Sequence, residues 1–321
     1  MSGPSFDLTE SMRIATFNVQ NLRLRHGETD HLDGARDGDV AEDSGSAAAR
    51  FDRSDRRLTA AVLRDIDADV VALQEVFDRQ SLDHFHDRFL LPSGAAPYPY
   101  RVCLPGNDGR GNDVAVLSRI APSMVKSHAA ATPADLGIVV PPPLSQDQPI
   151  FRRDCLEVTV RGLTLFVCHF KAPYPDPKAA WPVRRAEAAA VRRLIERRFP
   201  VPAKAWWLVL GDLNEPWLAE RTEERAIAPL LDDFAVDLAA RMTAPERWSY
   251  FEPRAGRYSQ PDAILASPAL AAAWPNVTPY LVREGVSLEA ARYHGPHLPD
   301  VGGHRPHASD HAALVAEFAG L

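Results

Sequence analysis

The sequence predicts an α/β protein built on mixed β-sheets, and three observations carry that expectation. Short apolar runs alternate with amphipathic helical stretches along the chain. Several of these runs follow one another with no helix between them, which favours a mixed sheet over a purely parallel, doubly wound one. The chain has 321 residues of which 45% are hydrophobic, enough for one large sandwich with a sizeable core.

Taken in order, Met12 to Phe17 (MRIATF) reads as the first strand and gives way to Asn18 in FNVQNL. From about His26 to Asp55 the chain is rich in Asp, Gly, Arg, Ser and Ala. That composition cannot build a core, so a long loop is expected, disordered or covering a cleft. Leu58, Val62 and Ile66 recur at i, i+4 and i+8, a helix with one buried stripe. Val70 to Leu73 is the second buried strand and ends in Gln74-Glu75. Leu82, Phe85 and Phe89 mark another helix. A strand at Tyr100 to Leu104 follows, then a loop, PGNDGRG, at 105–111. Val114 to Leu117 is a strand after Asn112-Asp113, and Ala121 to Pro149 is a Pro-rich loop with strand fragments.

Cys155 to Val160 and Leu163 to Cys168 form a hairpin around Arg161-Gly162, and the second strand leads into His169-Phe170-Lys171. Trp181 to Phe199 is helical. Val183, Ala186, Ala190, Val191, Leu194 and Ile195 face inward; Arg184, Arg185, Arg192, Arg193, Arg197 and Arg198 form an outer face, either solvated or phosphate-binding. Trp206 to Leu210 is an unbroken apolar run. It reads as a strand buried on both faces, although so short a run also fits a buried helix. Gly211 breaks it, and Asp212 and Asn214 follow at once. A helix is expected near Arg221 to Leu231 and a strand at Trp248 to Phe251. Asp262 opens the strand DAILA, Gly285 to Ser309 is loop-like, and Ser309-Asp310-His311 leads into a last strand, Ala312 to Phe318. Residues 12–321 read as one domain behind an extension at 1–11, with no internal repeat.

The net charge of -7 excludes general attraction to nucleic acid, so a polyanion must be held by local cations. Arg152, Arg153 and Lys171 adjoin strand ends and are the nearest candidates. Cys103, Cys155 and Cys168 are scattered, as expected of reduced buried thiols rather than a disulfide frame or zinc site. The first eleven residues lack the basic and apolar regions of a signal peptide, and no apolar run has membrane-spanning length. A soluble, cytoplasmic monomer is expected.

Four buried strands end in Asn18, Glu75, His169, and Asp212 with Asn214; Asp262 and Asp310-His311 adjoin two more. Each alone fits a turn or a satisfied polar group. Together they fit a site built at strand ends. Carboxylates with few nitrogen donors suit Mg2+ or Mn2+ rather than zinc, and Asn and His can donate to phosphoryl oxygens. The residues themselves therefore point to metal-assisted phosphoryl hydrolysis. His294, His297, His304 and His307 have spacing open to a transition metal, or are incidental to a Pro- and Gly-rich loop.

The stretches ATFNVQNL, DVVALQEV, VCHFKAP, VLGDLN, QPDAIL and SDHAAL, in this order, resemble the endonuclease/exonuclease/phosphatase superfamily of deoxyribonuclease-I-like fold. The resemblance runs from about Met12 to Phe318, and GNDGRGNDVAVLSR and FRRDCLEV look like its bacterial members. It implies a four-layer α/β sandwich: two mixed β-sheets face to face with helices outside. It implies Glu75 as the main metal ligand, with Asp310 and Asn18 near the metal. Asp212 would orient or deprotonate the attacking water, and Asn214 would hold that water or the scissile phosphate. His311, paired with Asp262, and His169 would contact phosphate oxygens; Asn112, Lys171, Arg152 and Arg153 would contact the rest of the substrate. Gln20 stands where some nucleases of the family place an Asp. The implied activity is a divalent-metal phosphodiesterase, foremost a nuclease. The alternatives are an enzyme for a phosphoinositide, sphingomyelin or small phosphate ester, and an inactive phosphate-binding scaffold.

Overall fold

The computed structural model describes residues 11–36, 43, 47–215, 224–231 and 233–321. Residues 1–10 of the expected N-terminal extension fall outside them, as does the first part of the helix expected near 221–231, while Ser11 already belongs to the first strand. Within the described residues, two six-stranded sheets dominate. The first runs β15 (Tyr280–Val282), β16 (Ala313–Ala319), β1 (Ser11–Leu22), β4 (Val70–Val76), β6 (Asp113–Ser118), β5 (Tyr100–Cys103). The second runs β11 (Val236–Asp237), β14 (Asp262–Ala266), β10 (Trp207–Asp212), β9 (Leu163–His169), β8 (Cys155–Val160), β7 (Met124–Lys126). Two small hairpins pair β2 (Leu24–Arg25) with β3 (His31–Leu32) and β12 (Tyr250–Glu252) with β13 (Arg257–Ser259).

Each sheet has one parallel pair at its centre, β1 with β4 and β9 with β10, flanked by antiparallel strands. These central strands are buried on both faces, which is why they read as unbroken apolar runs. In β9, Leu163, Leu165 and Val167 face the other sheet beside Ile14, Val116 and Leu210. Phe166 and Cys168 face the opposite way, against Ala190, Val191 and Ile195 of α4 (Pro177–Arg198). Each such side chain removed from water stabilises the fold by roughly 1.5–3 kcal/mol.

Helix α1 (Asp52–Ile66) covers the outer face of the first sheet with Leu58, Leu63 and Ile66, and α2 (Arg79–Phe85) adds Leu82 and Phe85. Asp67 ends α1 in a left-handed conformation, its N–H on the Leu63 carbonyl. Asp176 caps α4 through the Lys178 N–H, with Pro177 in the first turn. The remaining helices, α3 (Pro133–Leu136), α5 (Ala228–Leu231) and α6 (Pro268–Ala273), are short. The architecture is therefore two mixed sheets with helices around them.

The run at Trp206 to Leu210 is a strand, as the sequence reads, with β10 covering Trp207–Asp212. Two expectations change. The stretch at 26–55 is not wholly loop: it holds β3, the second strand of the β2–β3 hairpin, and the start of α1, and Asp52 and Asp55 are buried. Arg184 leaves the outer face of α4 and is buried, because its guanidinium donates inward to the Lys171 carbonyl at 3.2 Å. None of the described helices is long and apolar enough to cross a membrane.

Candidate active site

Gly211 is the first requirement of the site. Its φ is +140°, and a Cβ there would lie 1.9 Å from the Cys168 carbonyl oxygen on β9. Only glycine permits that approach. One residue on, Asp212 stands in register with His169 of β9 on one side and with Asp262 of β14 on the other. Pairing alone thus places three of the expected residues in one row.

The first sheet completes the site. The Asn18 side chain, the last before the β1–β4 register breaks, donates to Asp212 at 3.1 Å and to Glu75 at 3.3 Å, so the carboxyl-side parts of the central strands of both sheets converge. That edge of an α/β sheet is where ligands are usually held. His311, just before β16, brings Nε2 to 3.8 Å from the Asp212 carboxylate, and His169 Nε2 lies 3.5 Å from the same oxygen. His311 Nδ1 lies 2.8 Å from Asp262 Oδ2, which also accepts from the Ser249 hydroxyl at 2.6 Å. Asn214 donates its backbone N–H to Asp212 at 2.9 Å and its side-chain amide to the Phe170 carbonyl at 3.0 Å.

Glu75, Asn214, Gln20 and Asn21 all have positive φ, at 64°, 50°, 48° and 59°. Non-glycine residues in this region are uncommon and cluster at functional sites. The turn at Gln20-Asn21 aims the Asn21 N–H at Glu75 Oε2, 3.0 Å away. Gln20 ties three parts together: its N–H donates to Asn18 Oδ1, and its side-chain oxygen accepts from the Asp310 N–H at 3.1 Å and meets His307 Nε2 at 3.0 Å. Buried Arg56 donates to the carbonyls of Val19, Gln20 and Asp33, each at 2.6 Å, and so fixes the turn from behind.

The electrostatics divide the roles. Burial pushes the Asp212 carboxyl up to about 6; the His311 imidazolium pulls it down and Asp262 pushes it up. For His311 burial acts downward, but Asp262, then Asp310 and Asp212, overcome it and raise the pKa to about 10. His169 goes the other way: burial, then Arg153 and His311, hold it well below the ordinary range. The site therefore pairs a charged imidazolium and a neutral imidazole around one carboxylate.

The outer residues are less uniform. Asn112 is buried and donates to Asn21 Oδ1 at 3.4 Å, one residue from the Gln20 hub. The Lys171 ammonium is half-buried on the Ala172 and Tyr174 carbonyls; burial, then Arg153 and Arg110, lower its pKa. Arg152 is exposed, with its N–H on the buried Glu187 that also accepts from the Lys171 N–H. Arg153 departs from the expectation of a cleft-reaching cation. It is only 4% exposed and is held between the Phe170 carbonyl and Asp108, because its strand-end position points it into the protein.

Sequence reading missed Ser249, Asn21, Arg56 and Arg110. Arg110 is the exposed cation of the 105–111 loop, hydrogen-bonded by Asp108 and close enough to feel the charge of Glu75. The second Asn of FNVQNL was the one available signal, since Asn tolerates left-handed backbone. The four histidines at 294–307 do not gather as metal ligands among the described residues. His304 instead pairs with Asp43 and Glu289, and His297 contacts the Val286 carbonyl.

The donor set of the cleft fits a hard divalent cation. Glu75 and Asp310 offer carboxylate oxygens, and the three thiols are buried and free. Among the described residues, the cleft's carboxylates and imidazoles do not close into a group of three within 4.8 Å; His31, Asp33 and Asp52 do, away from the cleft. One or two carboxylates with water in the remaining positions is the usual habit of Mg2+.

A family model described as the endonuclease/exonuclease/phosphatase family matches residues 15–311, and the chain belongs to that family. Its members are metal-dependent hydrolases acting on phosphoester bonds. No curated protein matches the chain. Among solved structures, an endonuclease/exonuclease/phosphatase from Beutenbergia cavernae is similar at 18% identity and a TM-score of 0.57, over 96% of this chain and 71% of that one. The 3' phosphatase NExo from Neisseria, bound to a product DNA hairpin, is 21% identical at a TM-score of 0.53, over 96% of this chain and 99% of that one. An AP endonuclease from Archaeoglobus fulgidus is 16% identical at 0.54, over 96% and 99%.

Proposed function

We propose that this protein is a nuclease that hydrolyses phosphodiester bonds of nucleic acid with Mg2+ or Mn2+. One observation carries the reading: a single carboxylate, Asp212, is ringed by Asn18, His169 and His311 within 3.8 Å, beside Glu75. Asp212 orients the attacking water and accepts its proton. A pKa pushed up to about 6 suits a general base working near neutrality. His311, kept charged by Asp262, stabilises negative charge growing on a phosphoryl oxygen. His169, neutral, and Asn214 position the phosphate by hydrogen bonds. Glu75 and Asp310, with Asn18, would hold the cation, which would supply positive charge against the negative charge growing on the phosphoryl group. Asn112, Lys171, Arg152 and Arg110 meet the flanking substrate, while Arg153 holds Asp108 and Phe170 in place behind them. The NExo structure with DNA and the AP endonuclease support a nucleic-acid substrate.

The test is a parallel assay on plasmid DNA, RNA, bis-p-nitrophenyl phosphate and a phosphoinositide, each with EDTA and with added Mg2+ or Mn2+. Cleavage of DNA or RNA that chelator abolishes and either metal restores is expected. Full activity in chelator would overturn the metal assignment. Faster turnover of the phosphoinositide than of any polynucleotide would overturn the nuclease assignment.

A further inference from the structure

A groove of about 1380 Å³ lies against the outer face of α1, and none of the catalytic residues lines it. Arg53, Arg57 and Arg64 of α1 line it, together with His84, Arg88, His31 of the β2–β3 hairpin, and the acids Asp30, Asp52 and Asp87. We infer that this groove binds the phosphate backbone of the polynucleotide flanking the scissile bond; the inference rests on the nuclease reading.

The arginines of α1 are arranged unlike those of an ordinary solvated helix. On α4 most of the outer arginines are answered by acids: Arg192 and Arg193 by Glu196, Arg185 by Glu224, and Arg198 by Glu157, with Arg197 the exception among the described residues. On α1, Arg53 and Arg57 stand at i and i+4 and are both exposed, and like charges at that spacing oppose helix formation. Three acids share the lining: Asp52 is held by Arg36 and Arg305, while Asp30 and Asp87 contact the His26 and His86 rings. Arg64 has Asp65. Arg53, Arg57 and Arg88 are left without an acidic partner among the described residues. Four arginines against three aspartates line the groove, which makes it locally basic on a chain of net charge -7 and marks a local anion site.

The groove has the length and the position for a strand leaving the catalytic cleft. Arg53 to Arg64 spans about 16 Å of helix, the rise of about five phosphates along one strand of a duplex. Asp52 at the groove accepts from Arg36 Nε at 2.9 Å. The Arg36 carbonyl accepts from the Asn21 side chain at 3.0 Å, and the Asn21 N–H holds Glu75. Two residues therefore separate the groove from the carboxylate that meets the cation.

The test combines Arg53→Ala, Arg57→Ala and Arg88→Ala in one full-length variant. A second variant carries Lys at the same three positions, and a third carries Ala at Arg192, Arg193 and Arg197. Binding of a fluorescein-labelled 30-base-pair DNA is followed by anisotropy across a KCl series, with Asp212→Asn added to each protein to prevent cleavage. The first variant should lower the slope of log K against log salt by about 2.7, three phosphate contacts at about 0.9 each. The Lys variant should keep the slope. In the unmodified catalytic background, hydrolysis of bis-p-nitrophenyl phosphate should not change. An unaltered slope in the first variant, or an equal fall in the α4 variant, overturns the groove while leaving the nuclease reading intact. If the parent hydrolyses the small diester but neither binds nor cleaves DNA or RNA, the nuclease reading fails and the groove falls with it.

Discussion

His311 Nδ1 and Asp262 Oδ2 lie 2.8 Å apart, although the residues are 49 positions apart in sequence, Asp262 opening β14 of one sheet and His311 leading into β16 of the other. The Ser249 hydroxyl holds the same oxygen. If Asp262 acts only through His311, Asp262→Ala and His311→Ala should cost similar factors in kcat/KM, and the double variant little more than either. Multiplication of the two losses in the double variant would refute the pairing. The pH sign follows from the raised pKa. His311 is pushed to about 10 in the fold, against an ordinary 6.5, so its contribution to stability is complete below 6.5 and is lost as pH rises toward 10. Asp262→Asn should remove most of that alkaline loss, read from melting temperatures at several pH values.

Asp212→Asn separates chemistry from folding. Removing the base should lower kcat on the order of a hundredfold or more. The acid limb of the wild-type rate profile should fall near pH 6, where Asp212 takes its proton. Because its folded pKa lies above the ordinary carboxylate value, Asp212 subtracts stability as pH rises from about 3.8 through about 6. The Asn variant should therefore melt no lower than wild type at pH 7. A clear fall in melting temperature would assign the loss of rate to unfolding instead.

What the sequence made legible was whatever strand periodicity carries. The central strands announce themselves as apolar runs because they are buried on both faces, and their polar endings, Asn18, Glu75, His169 and Asp212, converge for the same reason. The hairpin from Cys155 to His169 and the helix behind it follow from the same periodicity. Residues that serve the site from behind had no such signal. Arg56 and Arg305 look like two more surface arginines in polar stretches, yet both are buried, because acids and carbonyls remote in sequence surround them. Arg153 misled in the opposite direction: a strand-end cation suggests a cleft, and only the packed structure turns it inward.

Arg305 gives this its energetic measure. Its side chain is 1% exposed and bonds Asp43 at 3.1 Å, Asp52 at 3.0 Å, Asp55, and the Ala48 carbonyl at 3.2 Å. It joins the segment before α1 to the loop that carries Asp310 and His311. Arg305→Met would leave the buried carboxylates without their cation, at a cost of about 3–5 kcal/mol in urea unfolding. A loss below about 1 kcal/mol would show that water compensates the network.

Arg56 should act on the metal site itself rather than on stability alone. Burial lowers its pKa to about 10, with Asp55 and Asp52 opposing, so it is charged at neutral pH. Its three 2.6 Å bonds end on Val19, Gln20 and Asp33, carbonyls that flank the left-handed turn at Gln20-Asn21. That turn aims the Asn21 N–H at Glu75 and lets Gln20 hold the Asp310 N–H. Arg56→Met frees the turn, so Glu75 and Asp310, the proposed cation ligands, lose their fixed positions. Partners behind metal ligands are typically worth about 10–100-fold in metal affinity, and the Mg2+ needed for half-maximal activity should rise by that order. Arg56→Lys should rescue little, since one ammonium cannot span three carbonyls as a planar guanidinium does. Leu63→Ala is the control: Leu63 is fully buried among the apolar side chains between α1 and the first sheet. Compared at the same fraction folded, Leu63→Ala should keep the wild-type Mg2+ requirement while Arg56→Met should not. Equal Mg2+ requirements in the two variants would reduce Arg56 to a structural residue.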